Sequence, residues 1–271
     1  MLKSEEHAAN QSLIRMTNHF HTIIPARYGS SRLPGKPLLD IGGKPMIQHV
    51  YQRAIEAGST EVIVATDDQR IVDTVASFGG RAMMTSPDHP SGADRLAEVA
   101  TRLDLADDAI IVNLQGDEPM MDPALVRQAA QDLIAHPEAG MTTFATPIRR
   151  RADIFNPSIV KVVIDKEGRA LYFSRAPIPW VRSDFDDEEA RDMPDSIIPY
   201  RHLGMYAYRV GALKAITAER PCPIECAESL EQLRALWHGV RIYVGIVEHA
   251  PAHGVDTRED LERVRSISAT W

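Results

Sequence analysis

Short apolar runs of strand length alternate along the chain with stretches in which apolar residues recur every three to four positions. "TIIPA" at 22–26 precedes a helical period over 45–57, and "EVIVAT" at 61–66 precedes one through Ile71, Val72, Val75 and Phe78. Continuously apolar strands are buried on both faces, whereas a 3.6-residue period marks a helix packed along one stripe. The pattern continues through "RAMMT", a helix carrying Leu96, Val99, Ala100 and Leu103, and the strand "AIIVNLQ". A further helix follows, with Asp122 as N-cap and Pro123 at its first position. The expected fold class is α/β: a Rossmann-like, mostly parallel central sheet with helices on both faces.

Near residue 150 the rhythm changes. "VKVVIDKEGRALYFS" predicts two strands about a Lys-Glu-Gly turn, a hairpin that reads as an insertion or dimer arm. "SDFDDEEARDMPD", 183–195, carries seven acids and one base and reads as a solvated loop. The chain then returns to α/β with strand "LGMYAYRV", a single helix over "ESLEQLRALW" and strand "VRIYVGIVE". A last helix follows Thr257, with Asp260 three residues on to complete a capping box. The expected division is a flexible tail over 1–20 and one domain over 21–271, with the hairpin and acidic loop inserted at about 150–200. Met16, just before the first strand, is the expected native start of translation.

Composition narrows the function classes. A net charge of −8, from 30 basic and 38 acidic residues, argues against nucleic acid as a partner. No run approaches the ~18 apolar residues of a membrane span, and the start lacks a signal-peptide core. Cys222 and Cys226, with three residues between them and beside Pro221 and Pro223, fit neither a redox pair nor a zinc site and read as reduced thiols of a cytoplasmic protein.

One segment runs against the acidic whole. From Pro25 to Lys44 stand Arg27, Arg32, Lys36 and Lys44 against Asp40 alone. Its core, "PARYGSSRLPGKPL", follows the first strand directly, where α/β sheets bind ligands. A Walker A loop needs four residues between its glycines and a hydroxyl after the lysine. Here five separate Gly29 from Gly35, and Pro37 takes the hydroxyl position. A dinucleotide fingerprint is missing too. What remains is a loop of backbone amides and cations suited to a triphosphate tail; the bland alternative is a Gly/Pro-rich turn with solvated charges.

"PARYGSSRLPGKPL" resembles the first signature of the 3-deoxy-D-manno-octulosonate (KDO) cytidylyltransferases, also called CMP-KDO synthetases. Further segments resemble the family in order: "SGADRLAEV", "VNLQGDEP", "FNPSIVKVV", "ALYFSRAPIPW", "RHLGMYAYR", "LEQLRALW" and "GVDTREDLERV". The resemblance spans about Thr22 to Val264. It implies a fold of the nucleotide-diphospho-sugar transferase type and transfer of CMP from CTP to the anomeric 2-hydroxyl of KDO, for lipopolysaccharide assembly. It also implies a homodimer.

The same resemblance assigns residues. Asp117, directly after Gly116 at a strand end, and Asp256, between Gly254 and a helix start, would hold Mg²⁺, which takes few protein ligands and completes its shell with phosphate and water. Each alone also suits a turn or N-cap. Lys36, Arg27 and Arg32 would stabilise charge on the departing pyrophosphate. Ala26, Arg27, Ser30, Ser31, Lys36, Ser91, Gly92, Arg95 and Gln115 would surround the nucleotide, with Arg95 and Gln115 reading the base. Arg95 also fits an exposed helix position, and Ser91 an N-cap paired with Asp94. Arg175, His202, Tyr206, Glu231 and Gln232 would line the sugar-acid pocket, with Arg175 as partner of the carboxylate. His202 equally suits a core histidine and Tyr206 an aromatic strand face. An 8-amino analogue of KDO would share every motif. An inactive sugar-nucleotide sensor would have lost Lys36 or one of the two aspartates, and all three are present.

Overall fold

In the computed structural model, residues 19–29, 32–185, 197–252 and 254–268 are described. The tail, its Met16, Ser30, Ser31, His253 and most of the acidic loop lie outside that set.

β1 (His21–Ala26) is an interior strand of the sheet. After it come a 3-10 turn at Lys36–Leu38, the small hairpin β2 (Asp40–Ile41) and β3 (Lys44–Pro45), and α1 (Met46–Glu56). Next are β4 (Glu61–Thr66), α2 (Gln69–Ser77), β5 (Ala82–Met84), α3 (Gly92–Arg102), β6 (Ile110–Asn113) and α4 (Pro123–Ala135). The chain continues through β7 (Met141–Pro147), α5 (Arg151–Phe155), β8 (Lys161–Ile164), β9 (Ala170–Ser174) and α6 (Arg182–Phe185). It closes with β10 (Tyr200–Arg209), α7 (Val210–Ala218), α8 (Pro223–Glu228), α9 (Gln232–Trp237), β11 (Ile242–Ile246) and α10 (Arg258–Ser268).

The sheet order is β11-β7-β10-β6-β1-β4-β5. β1 lies parallel to both β4 and β6, and β11 parallel to β7, whereas β10 runs antiparallel between β6 and β7. Ile47, Val50, Ile71, Val75, Val126 and Leu133 pack one face; Leu96, Val99, Leu213, Phe173 and Leu233 pack the other. Helices therefore cover both faces, as the continuously apolar strands require.

The chain leaves β1 toward β4 and β5, then returns to β6 on the opposite side. That reversal opens a crevice at the carboxyl ends of β1 and β6. Ile23 accepts from the Leu114 amide, so Pro25, two residues on, turns its missing N–H toward the side where β6 has already left the ladder. A Cβ on Gly116 would come 2.9 Å from the Pro25 carbonyl oxygen, so only glycine lets the β6 loop cross this close.

The expected hairpin is present as β8–β9 and joins the sheet, β8 pairing with the start of β10, Tyr200 opposite Val162 and Arg201 opposite Lys161. One expectation needs correction. The helix expected over 228–237 is two helices, broken at Ser229, which adopts φ 51° and ψ 51°. The predicted caps are present: the Asp122 carboxylate accepts from the Ala124 amide and the Thr257 hydroxyl from the Asp260 amide.

Candidate active site

Three loops converge on the crevice. The loop after β1 is closed by the Gly35 amide donating to the Tyr28 carbonyl, and its 3-10 turn brings Lys36 inward. The loop after β6 carries Asp117. The segment before α10 carries Asp256 and is held by the Val255 amide donating to the Asp117 carbonyl at 2.8 Å. A Cβ on Gly254 would meet that same carbonyl at 3.0 Å. Packing of Val255, Leu261 and Val264 against Ile41 and Met46 anchors the segment.

The result is a compact charge cluster. The Lys36 ammonium lies 2.6 Å from Asp117 Oδ2 and 3.2 Å from Asp256 Oδ1, and Arg32 lies 3.2 Å from the same Asp256 oxygen. Residues 81 and 220 positions from Lys36 thus meet at one ammonium. The two carboxylates converge on a point a single cation can reach from both, and hard oxygen donors of this kind suit Mg²⁺. The donor set therefore fits that ion, with lysine nitrogen standing where the carboxylates aim. Behind Asp117, burial with Asp117 alongside pushes the Glu118 carboxyl up to about 8, and its Oε2 has no hydrogen-bond partner among the described residues. The run of adjacent acids in "GDEP" was the signal for Glu118, but not for which of the pair faces inward.

Of the expected nucleotide residues, Ser30 and Ser31 lie outside the described set. Ala26 ends β1, Arg27 donates to the His89 carbonyl, and Gly92 begins α3 with its Cβ position 3.5 Å from Pro25 Cγ. Ser91 caps α3, accepting from the Asp94 amide and donating to its carboxylate. Gln115 reaches Asn113 Oδ1 at 3.5 Å. Arg95 is neither exposed nor free: it is fully buried, donating to Asp67 Oδ2 at 2.8 Å and to the Thr85 hydroxyl, with Nε unpartnered among the described residues. A guanidinium tied in this way braces α3 against the loop after β4.

A cavity of about 250 Å³ lies between β10, α7 and α9, with Ser91, Tyr206, Glu231, Gln232 and Arg234 on its wall. Burial pushes the Glu231 carboxyl above its ordinary value, opposed by Arg234, and burial also raises the Tyr206 hydroxyl. His202 stands behind this wall. Its Nε2 lies 2.9 Å from the Thr143 hydroxyl and its ring packs edge-on to Phe173, while burial lowers it to about 3, so it is a neutral imidazole. Arg175 does not line the cavity. Its guanidinium donates to the carbonyls of Glu228, Pro157 and Ser229, so the expected direct contact with a sugar carboxylate is not what this geometry offers.

A buried pair that sequence reasoning missed completes the wall. Arg234 donates to both oxygens of Glu225, at 2.8 and 2.5 Å, tying α9 to α8. No helical spacing links positions nine apart, and the broken helix that lets them meet has no local signature. Cys222 is buried and Cys226 exposed, both free thiols.

Comparison with known proteins follows this geometry closely. Residues 21–242 match the family described as cytidylyltransferase. A 3-deoxy-manno-octulosonate cytidylyltransferase of Hahella chejuensis is 57% identical over 92% of this chain and 98% of its own length. One from Pseudomonas syringae is 56% identical over 93% of this chain and 99% of its own. A solved structure of CMP:2-keto-3-deoxy-manno-octonic acid synthetase complexed with CTP is 48% identical and covers 93% of this chain and 99% of that one, with a TM-score of 0.82.

Proposed function

The chain belongs to the cytidylyltransferase family, among the 3-deoxy-manno-octulosonate cytidylyltransferases, and from that premise we infer that it transfers CMP from CTP to KDO, with release of pyrophosphate. The bond that forms joins the anomeric 2-hydroxyl oxygen to the α-phosphorus, and the bond that breaks is the one to the β-phosphate bridge. The observation that carries the reading is the meeting of Lys36, Asp117 and Asp256 at the switch point of the sheet.

Asp117 and Asp256 would hold Mg²⁺. When bound, that ion lowers the pKa of the attacking hydroxyl and offsets repulsion between a sugar carboxylate and the triphosphate. Lys36 and Arg32, now on the carboxylates, are within reach to exchange them for phosphate oxygens. With Arg27 they would stabilise charge moving onto the leaving pyrophosphate. Ser91, Gly92, Arg95 and Gln115 shape the nucleotide end, Arg95 through the loops it braces. Tyr206, Glu231 and Gln232 offer the sugar acid hydroxyl, carboxyl and amide groups in a preformed cavity. The Thr143 hydroxyl and Phe173 ring hold His202 as support for that wall.

Further parts of the proposal are a cytoplasmic enzyme, in keeping with two free thiols, a product destined for lipopolysaccharide, and a homodimer. The homodimer is supported by exposed Phe155 and Trp180, whose rings stack edge-on. No helix among the described residues is long and apolar enough to cross a membrane. Pyrophosphate release, measured with each nucleotide and sugar acid in turn and with and without Mg²⁺, tests the whole. Turnover with UTP or ATP as readily as with CTP, or none with KDO, would overturn it.

A further inference from the structure

The hairpin β8–β9 makes a set of contacts that the transfer reaction does not explain. Lys161, fully buried at the start of β8, donates to the carbonyls of Asn156, Ile159 and Arg175 at 3.1, 2.7 and 2.5 Å. Arg175, just past β9, donates through Nη1 to the Pro157 carbonyl at 3.1 Å, so the 156–159 loop is gripped from both sides. Beyond it, Arg175 Nε reaches the Glu228 carbonyl at 2.7 Å and Nη2 the Ser229 carbonyl at 3.5 Å. The Glu228 carboxylate answers from the other side: it accepts from the Ser174 hydroxyl at 2.5 Å and the Arg175 amide at 2.9 Å.

The contacts that join the hairpin to Glu228 and Ser229 end at the turn between α8 and α9. There Ser229 takes a positive φ that an L-residue holds only when its surroundings impose it. Directly after come Leu230, Glu231 and Gln232, all on the cavity wall. Arg175 also satisfies carbonyls at the C-terminus of α8 that would otherwise lack partners.

We infer that Arg175 and Glu228 are positioning residues: through the strained turn at Ser229 they set Glu231 and Gln232 in the register that recognises the sugar acid, and Arg175 does so without touching it. The inference rests on the reading that this cavity takes the sugar acid. A direct ion pair between Arg175 and a substrate carboxylate would be kept largely by a lysine point charge. Arg175 reaches its three carbonyls through three separate nitrogens of a planar fork, on both the 156–159 loop and the turn at Ser229, a spread that the single ammonium of a lysine at this position does not reproduce.

The test is steady-state kinetics on the full chain with Arg175→Lys, Arg175→Met, Glu228→Gln and the Arg175→Met/Glu228→Gln double variant. Each single variant should raise the KM for KDO about tenfold or more, with the KM for CTP unchanged within about twofold. The double variant should cost no more than the worse single one, since both act through one turn. Rescue by Arg175→Lys, an unchanged KM in Glu228→Gln, additive losses, or a CTP KM that climbs in step would each overturn the inference. Amide exchange decides independently of substrate. Residues 229–237 should exchange faster in Arg175→Met and Glu228→Gln while 92–102 stay as protected as in the parent, and equal protection of 229–237 would also overturn it. A parent enzyme that turns over no KDO refutes the proposed function instead, and exchange still decides the role of the turn.

Discussion

Where residues 32–36, 117 and 256 meet, charged side chains hold one another; around the cavity of Tyr206, Glu231 and Gln232, the protein holds them. At the first end Lys36 and Arg32 lie on Asp117 and Asp256, with Arg32 and Asp256 about half or more exposed to solvent. Such pairs exchange partners at little cost when a polyanion arrives, because solvent and phosphate replace what is given up. At the second end Arg234 is locked bidentate to buried Glu225, and Arg175 is committed to carbonyls. Tyr206, Gln232 and Glu231, whose carboxyl burial raises, face the cavity beside that locked Arg234. On the proposed reading, one end would recognise charge by trading ion partners, and the other would recognise shape and hydroxyls through a fixed wall.

Substitutions at the first end should have the largest effects. Asp117→Asn and Asp256→Asn should each cut kcat about 10²-fold or more while circular dichroism stays that of the parent. Near-normal turnover would remove them from the metal site. Lys36→Met should lower kcat/KM for CTP by about 10²-fold and weaken inhibition by pyrophosphate, leaving the KM for the sugar acid in place. An equal rise in both KM values would erase the distinction between the ends.

Glu225→Gln tests the fixed wall. It leaves the Arg234 charge buried without its anion and should cost about 3 kcal/mol of stability in urea unfolding. A loss under about 0.5 kcal/mol would show the pair to be dispensable. The smallest effect belongs to a carboxyl remote from both ends. Burial raises Asp132 from 3.8 to about 6, and its Oδ2 lacks a hydrogen-bond partner among the described residues. A raised carboxyl stabilises the fold while protonated, so its contribution is whole below 3.8 and lost as pH climbs to about 6. Asp132→Asn should therefore add about 1 kcal/mol, after solvent screening, at pH 7.5 and almost nothing at pH 4, with kinetics unchanged. A stability gain that persists at pH 4 would refute the burial account.

The parts legible from sequence were those written locally. Apolar periods placed the strands and helices of the parallel half, and Asp122-Pro123 and Thr257 with Asp260 announced their caps. The triad of Lys36, Asp117 and Asp256 was legible because each residue sits beside a turn at a strand end or helix start, and such places share one rim in this topology. The burial of Arg95 was not legible because its partners, Asp67 and Thr85, lie on other loops, and nothing near α3 in sequence tells of them. The break at Ser229 was hidden for the same reason, since "ESLEQLRALW" has a sound helical period and its interruption is imposed from the hairpin. The hold on Arg175 was not legible either, because its partners are carbonyls, which, unlike side chains, leave no mark in a sequence.

The reversal of β10 has a consequence for how this chain tolerates change. Because β10 runs antiparallel to β7, the segment from 148 to 199 leaves and re-enters the sheet at one edge of the rim, however long it is. Residues added or removed there, outside β8, β9 and the contacts of Lys161 and Arg175, lengthen loops without shifting the pairing of β7 with β10. Residues up to Gln115 come before that segment, and the cavity wall from Tyr206 to Arg234 comes after it. Insertions confined to those loops can therefore diversify the protein's outer contours while the hairpin keeps its hold on the sheet and on the turn at Ser229.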